Sequence, residues 1–393
     1  MQVQLIQEAL RERGIDGWLF YDFHHRDPIA YRILGLSSDS LASRRWYYLV
    51  PAQGEPGKLV HRIESGQLDG LPGETQLYAG WRELLQRLER MLAPVRTIAM
   101  QYSPNNQIPS VSLVDAGTVE LVRGFGKQVV SSADLVQRFE ACWSPAALES
   151  HLEAGKIIDR LIPAAFAEIG KRAGQSGQTD EYTIQQFLMD QFTQNHLITD
   201  SPPIVAVNRN SGNPHYQPSR AASSAIRAGD FVLLDVWGKC DRPGAVYYDV
   251  TWTGFLGERI PEPIASVFEI VKRARDCAFQ IVQEAMREGR KLRGWEVDRA
   301  ARSVIEASGY GDRFVHRTGH SIGEEVHGNG ANMDDLETHE EREIIPHTGF
   351  SIEPGIYLPE FGVRSEVNVF IDADSARITG PVQNAVITIP VRN

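Results

Sequence analysis

Apolar and polar positions alternate along this chain with two different periods, and each change of period marks an element. Val3 to Arg13 has apolar residues at helical spacing and stops before Gly14. Gly17-Trp-Leu-Phe-Tyr then reads as a strand, and Asp22-Phe-His-His-Arg-Asp-Pro as a polar loop. Tyr31-Arg-Ile-Leu-Gly-Leu leads to a second strand, Arg45-Trp-Tyr-Tyr-Leu-Val-Pro. Pro51 to Lys58 is a turn rich in Gly and Pro, and Leu59-Val-His-Arg-Ile is another strand. Trp81 to Leu92 is an amphipathic helix, Thr97-Ile-Ala-Met a strand, and Ser132 to Cys142 a helix. Helices alternating with strands predict a small α/β layered domain.

A boundary falls near Trp143-Ser-Pro, which predicts domains over residues 1–143 and 144–393. A long helix runs from Ala146 to about Lys171, and Gly174-Gln-Ser-Gly-Gln breaks it. Asp180 can cap the next helix, Glu181 to Gln194. Pro203-Ile-Val-Ala-Val-Asn is strand-like, and the loop from Asn208 leads to His215-Tyr-Gln-Pro. Two further helices span Pro263 to Arg287 and Val297 to Ser308, and Ala385-Val-Ile-Thr-Ile is the last strand. Helices followed by paired acid-bearing strands thus occur twice.

Those acids are the chemical centre of the chain. Asp235 lies in Phe231-Val-Leu-Leu-Asp-Val-Trp and Asp249 in Val246-Tyr-Tyr-Asp-Val-Thr-Trp-Thr. Glu353 lies in Phe350-Ser-Ile-Glu-Pro-Gly-Ile-Tyr and Glu366 in Gly362-Val-Arg-Ser-Glu-Val-Asn-Val. His320 lies in His316-Arg-Thr-Gly-His-Ser-Ile-Gly, where Gly319 and Gly323 favour a loop over a helix. A lone acid in an apolar strand is usually an edge residue. Four of them in buried strands are costly unless they are paired or bind a cation. Four carboxylates and an imidazole exceed the roughly three protein ligands of a catalytic zinc. They suit two divalent ions about 3.5–4 Å apart. Oxygen-rich ligation favours manganese, zinc, cobalt or iron over copper.

The order Asp, Asp, His, Glu, Glu, with Gly-His-Ser-Ile-Gly, Ile-Glu-Pro-Gly-Ile-Tyr and Gly-Val-Arg-Ser-Glu, resembles the pita-bread metallopeptidases, which include Xaa-Pro aminopeptidase, prolidase, methionine aminopeptidase and creatinase. The resemblance is close from about Ser144 onward and weaker before it. It implies an α+β chain: a C-terminal pita-bread catalytic domain after a smaller creatinase-like α/β domain. It implies two divalent ions, manganese first, with zinc, cobalt or iron as alternatives, held by Asp235, Asp249, His320, Glu353 and Glu366. Asp249 and Glu366 would bridge the pair. His215 and His327 resemble residues that bind substrate and steady a tetrahedral intermediate, His316 one near the substrate's proline side, and Arg364 an arginine that buttresses the metals. Glu353 would take the proton of a metal-bridging water and pass it to the leaving amine. A loop histidine satisfied by backbone, or an ordinary ion-paired arginine, is the competing reading for His215, His327, His316 and Arg364.

Composition narrows the partners. A chain of 393 residues with 42% hydrophobic and 23% charged residues fits two globular domains. A net charge of −11 argues against nucleic acid or an anionic membrane surface as partner. No apolar run approaches the roughly 20 residues of a membrane span, and no signal-peptide pattern is seen. Cys142, Cys240 and Cys277 form no CxxC pair and read as reduced thiols of a cytoplasmic protein. His24 and His25 are either substrate contacts across a dimer interface or part of a solvated loop; His61 and His196 read as structural.

The expected activity is hydrolysis of short peptides, as an Xaa-Pro aminopeptidase or prolidase-like dipeptidase, by a homodimer. The alternatives are a non-peptidase hydrolase or lyase on the same scaffold, and an inactive binding protein. Several positions depart from the family pattern: a longer turn between the aspartates, Trp252 after Asp-Val-Thr, Arg317, and Gly328-Asn-Gly-Ala-Asn-Met-Asp-Asp after His327. They leave the five ligands intact and alter the walls around them.

Overall fold

The computed structural model describes residues 2–39 and 41–391. They form two compact units, divided in sequence between Glu140 and Ala141.

The first unit is built on strands β1 (Gly17–Asp22), β2 (Trp46–Pro51), β3 (Gly57–His61), β4 (Glu74–Tyr78), β5 (Thr97–Met100) and β6 (Gln128–Ser131), in the order β4-β3-β2-β1-β5-β6. The central strands are buried at every position because both faces are covered. Trp18, Phe20, Trp46 and Tyr48 point to one side, against helices Gln2–Glu12, Pro28–Leu34 and Ala133–Glu140. Leu19, Tyr21, Tyr47 and Leu49 point to the other, against helices Trp81–Leu92 and Ala116–Gly124. The period of two thus feeds two cores from one sheet.

The stretch around Tyr31 that leads to the second strand is the helix Pro28–Leu34. Asp27 caps it by accepting the Ala30 amide at 2.9 Å, Pro28 occupies the first turn, and Gly35 ends it at φ 66°. Likewise β3 stops at His61, whose ring accepts the Ile63 amide and starts a 3₁₀ turn.

The second unit repeats one theme twice. Helices Pro145–Ser176 and Glu181–Gln194 cover a sheet whose long members are Phe231–Cys240 and Tyr248–Leu256. Helices Glu262–Glu288 and Gly294–Ala307 cover a second sheet of Ser321–Ile322, Gly349–Ile352, Val367–Ile371 and Ala376–Ile378. The first helix outruns the predicted end at Lys171 because Gly174 is tolerated inside it; Gly177, at φ 73°, ends it. Val232, Leu234 and Val236 face their covering helices. Phe231, Leu233 and Phe255 turn inward and join the core that contains Ile352 and Val367 of the second sheet. Asp235 shares that inward parity.

Trp143 locks the second sheet in place. Its indole N–H donates to the Ile322 carbonyl at 3.0 Å and its ring stacks on Phe370. A Cβ on Gly349 would lie 2.1 Å from that ring. Gly349→Ala should therefore force the indole off its site and destabilise the protein by about 1–3 kcal/mol, the usual range for overpacking. Chemical denaturation of the variant checks this; an unchanged midpoint would contradict the packing account.

Candidate metal centre

The two aspartates meet through strand register. Phe231–Cys240 and Tyr248–Leu256 run antiparallel with Asp235 opposite Thr251 and Trp237 opposite Asp249. Asp249 and Thr251 are two residues apart and share a face, so both aspartates and the threonine project together. The Thr251 hydroxyl lies 2.8 Å from Glu366 Oε2 and 3.1 Å from Asp235 Oδ1. The Asn368 side chain accepts the Asp249 amide at 2.9 Å and returns a bond to its carbonyl, which joins the second sheet to the first at this residue.

Glu353 and Glu366 are not inside strands, as their apolar surroundings suggested, but at breaks between them. Gly349–Ile352 is followed by Gly355–Tyr357, and Gly362–Arg364 by Val367–Ile371. Ile352 pairs with Val367 and Gly355 with Arg364, so the interruptions lie opposite each other. The peptide there is freed from the ladder, and the two carboxylates turn into the site. His320 comes from a segment that runs beside this ribbon. The Glu353 amide donates to the Thr318 carbonyl at 2.7 Å, and the Ser351 amide to the His320 carbonyl at 2.9 Å. Such close approach requires Gly319, where a Cβ would fall 1.9 Å from the Ser351 carbonyl oxygen.

One ligand atom each from Asp249, His320 and Glu366 lies within 4.8 Å of the others. His320 Nε2 is 3.3 Å from Glu353 Oε1 and 3.5 Å from Asp249 Oδ2. Asp235 stands beside this group and is ion-paired with Arg364, which also bonds Thr251 and reaches toward Glu353 at 3.8 Å. Burial works against the charge on Arg364, but Asp235, Tyr357 and Glu353 outweigh it. One guanidinium cannot balance four buried carboxylates. Burial, then the neighbouring acids, push Asp249 and Glu366 well above the usual carboxylate range, and Asp235 to about 7. Burial also raises Glu353, but His320, Arg364 and His316 hold it below its ordinary value. Glu366 Oε1 is buried without a hydrogen-bond partner among the described residues. An acceptor left open among crowded carboxylates fits a divalent cation.

These groups line a cavity of about 330 Å³ that also takes in His215, His316, His327 and Arg364. His327 lies edge-on to His320 with ring centres 4.4 Å apart, and that neighbour, then burial, lowers it to about 4. His316 is lowered to about 4 by burial; it is held by the Tyr357 hydroxyl and the Arg317 carbonyl, each at 2.7 Å. Both rings are therefore neutral near pH 7. His215 is exposed on the cavity rim, its amide bonded to Asn213. His24 and His25 belong to the first unit, both at positive φ. The sequence reading passed over Thr251, Ser351, Tyr357, Asn368 and Asp200. Thr251 and Asn368 each lie two residues beyond a candidate ligand, a same-face signal that was available. Ser351, which bonds the His320 amide and Glu353, stands two residues before Glu353 and carries the same signal; Asp200, which accepts the Trp237 indole N–H at 2.7 Å, has none.

Residues 149–373 match the description "Metallopeptidase family M24". The chain is 32% identical over 232 residues to the Xaa-Pro dipeptidase of Pyrococcus furiosus, covering 57% of this chain and 59% of that one. It is 31% identical over 210 residues to the Xaa-Pro dipeptidase of Lactobacillus delbrueckii subsp. lactis, covering 52% and 51%. The chain thus spans about half the length of these curated relatives. Among solved structures, dipeptidase PepE from Mycobacterium ulcerans superposes with a TM-score of 0.70 at 22% identity, over 99% of this chain and 97% of that one. Recombinant prolidase from Thermococcus sibiricus gives 0.61 at 22% identity, over 98% of each. The fold is the pita-bread fold of these structures. No helix among the described residues is long and apolar enough to cross a membrane.

The raised carboxylates set a pH dependence for metal-free protein. Unfolded carboxylates titrate near 4, whereas Asp235 in the folded chain holds its proton to about 7 and Asp249 and Glu366 are also raised. Between those limits the folded state binds more protons than the unfolded one, so its stability falls as pH rises. With chelator present, the melting temperature of the natural protein should drop relative to Glu366→Gln between about pH 5 and about pH 7.5. A parallel pair of profiles would contradict the crowding of charge.

Proposed function

Because the chain belongs to metallopeptidase family M24, we propose that it is a dinuclear-metal peptidase that hydrolyses short peptides, as an Xaa-Pro aminopeptidase or prolidase-like dipeptidase. The observation that carries this reading is the convergence of Asp249, His320 and Glu366 within 4.8 Å in a buried site. Glu353 and Asp235 stand beside them, and Glu366 Oε1 has no hydrogen-bond partner among the described residues. Asp235, Asp249, His320, Glu353 and Glu366 would hold two divalent ions, manganese first, with zinc, cobalt or iron as alternatives. When bound, such ions polarise a carbonyl and make hydroxide available near neutral pH.

The chain's own residues do the rest. Glu353, kept ionised by His320 and Arg364 and oriented by the Ser351 hydroxyl at 3.0 Å, accepts a proton and delivers it to the leaving nitrogen. An X-Pro nitrogen carries no hydrogen, so it leaves only when protonated. His327, neutral beside His320, donates to the developing oxyanion. His215 on the rim contacts substrate, and His316, fixed by Tyr357, borders its proline side. Arg364 offsets the charge of Asp235 and fixes its orientation. The first unit is taken as the smaller creatinase-like domain and the second as the catalytic domain. The working form is taken as a cytoplasmic homodimer, which sedimentation and fractionation test.

Metal analysis of the purified protein, followed by assay on X-Pro dipeptides and longer peptides, tests the activity. Metal-free protein that stays inactive on every peptide after reloading would refute it. Asp249→Ala and Glu366→Ala should each remove metal and activity together; two equivalents of metal retained in Asp249→Ala would defeat its bridging role. His327→Ala should keep its metal and lose about 10²–10³-fold in turnover, the loss seen when one oxyanion donor is removed. An unchanged rate would reduce His327 to a loop residue.

A further inference from the structure

Asp298 and Arg302 lie outside the cavity, yet they grip the segment that leads to His320 and bonds the backbone of Glu353. They sit one turn apart on helix Gly294–Ala307, Asp298 fully buried and Arg302 nearly so. Arg302 Nε donates to Asp298 Oδ2 at 2.8 Å and Nη2 to Oδ1 at 3.0 Å. The guanidinium also donates to the Phe314 carbonyl at 3.0 Å and the His316 carbonyl at 2.8 Å, and it lies over the Phe314 ring. Asp298 Oδ1 further accepts the Thr318 amide at 2.8 Å and the Thr318 hydroxyl at 2.7 Å. Thr318 stands two residues before His320, and its carbonyl receives the Glu353 amide.

A buried ion pair is a poor way to gain stability, because desolvation offsets most of the attraction and an apolar pair fills the same space. An apolar pair could not bond the carbonyls of Phe314 and His316 and both donors of Thr318. That segment is a loop, so these groups have few other partners inside the protein. We infer that Asp298 and Arg302 are positioning residues of the metal centre. They fix Phe314 to Thr318 so that His320 and Glu353 meet at 3.3 Å. The inference rests on the reading of those two residues as metal ligands.

The test is Mn²⁺ titration of full-length, metal-stripped protein by calorimetry, with denaturation of the same metal-free samples. Thr318→Val keeps the side-chain volume and the amide bond to Asp298 and removes only the hydroxyl. Its Mn²⁺ affinity should fall about tenfold to a hundredfold, as it does when outer-shell partners are lost, and Thr318→Ser should restore it. Arg302→Lys keeps the charge, loses the fork to the two carbonyls, and should weaken binding in the same direction. A merely structural role would lower the denaturation midpoint and leave the affinity of folded protein unchanged. Natural affinity in folded Thr318→Val and Arg302→Lys would therefore overturn the inference. If the natural protein binds none of Mn²⁺, Zn²⁺, Co²⁺ or Fe²⁺ in the same titration, the metal-centre reading falls, and this inference falls with it.

Discussion

The second unit depends on how four carboxylates can be buried between two sheets. Asp235, Asp249, Glu353 and Glu366 all point into one space, and Arg364 is the cation that touches them among the described residues. Left to themselves, Asp249 and Glu366 hold protons far above the usual carboxylate range. Much of the local architecture answers that constraint. Thr251 supplies a hydroxyl between two of the acids, Asn368 clamps the backbone of a third, and Ser351 orients the fourth. The protein keeps the acids close at a cost in stability, as sites built to bind a cation do.

The scaffold that holds them is stiff at each anchor. Register fixes the aspartates, because a one-residue slip of either strand would turn its own aspartate to the helix side. Paired strand breaks turn the glutamates inward. His320 rides on a segment pressed so closely against Ser351 that only glycine fits at 319. The same segment is tied from behind by Asp298 and Arg302. Two sheets and one ribbon therefore meet at the cavity, and one helix braces it from outside.

The histidines divide by environment rather than by motif. His316 and His327 lie close to the acids and are neutral near pH 7 for different reasons, burial for one and a neighbouring imidazole for the other. His215 is open to solvent on the rim. Spacing from Gly319 and Gly323 placed His320 in a loop, and it is one. Spacing could not say which ring would lie against which.

Much was legible in the amino-acid order alone. Apolar runs at period two and helices at period 3.6 marked most elements, including the doubled pattern of helices and acid-bearing strands in the second unit. Acids inside those runs marked the candidate site, because an unpaired buried charge is too costly to persist without a reason. The helix at Pro28–Leu34 is also written locally, in Asp27, Pro28 and Gly35. What the order could not decide was contact over long separations. Glu353 and Glu366 read as strand residues, and only the pairing of Ile352 with Val367 put both at a break. Thr318 reads as an unremarked loop residue until helix Gly294–Ala307 folds against it. Periodicity reports which face a residue takes within its own element. Which faces meet is set by tertiary packing, and there the carboxylates acquire their shifted protons and their partners.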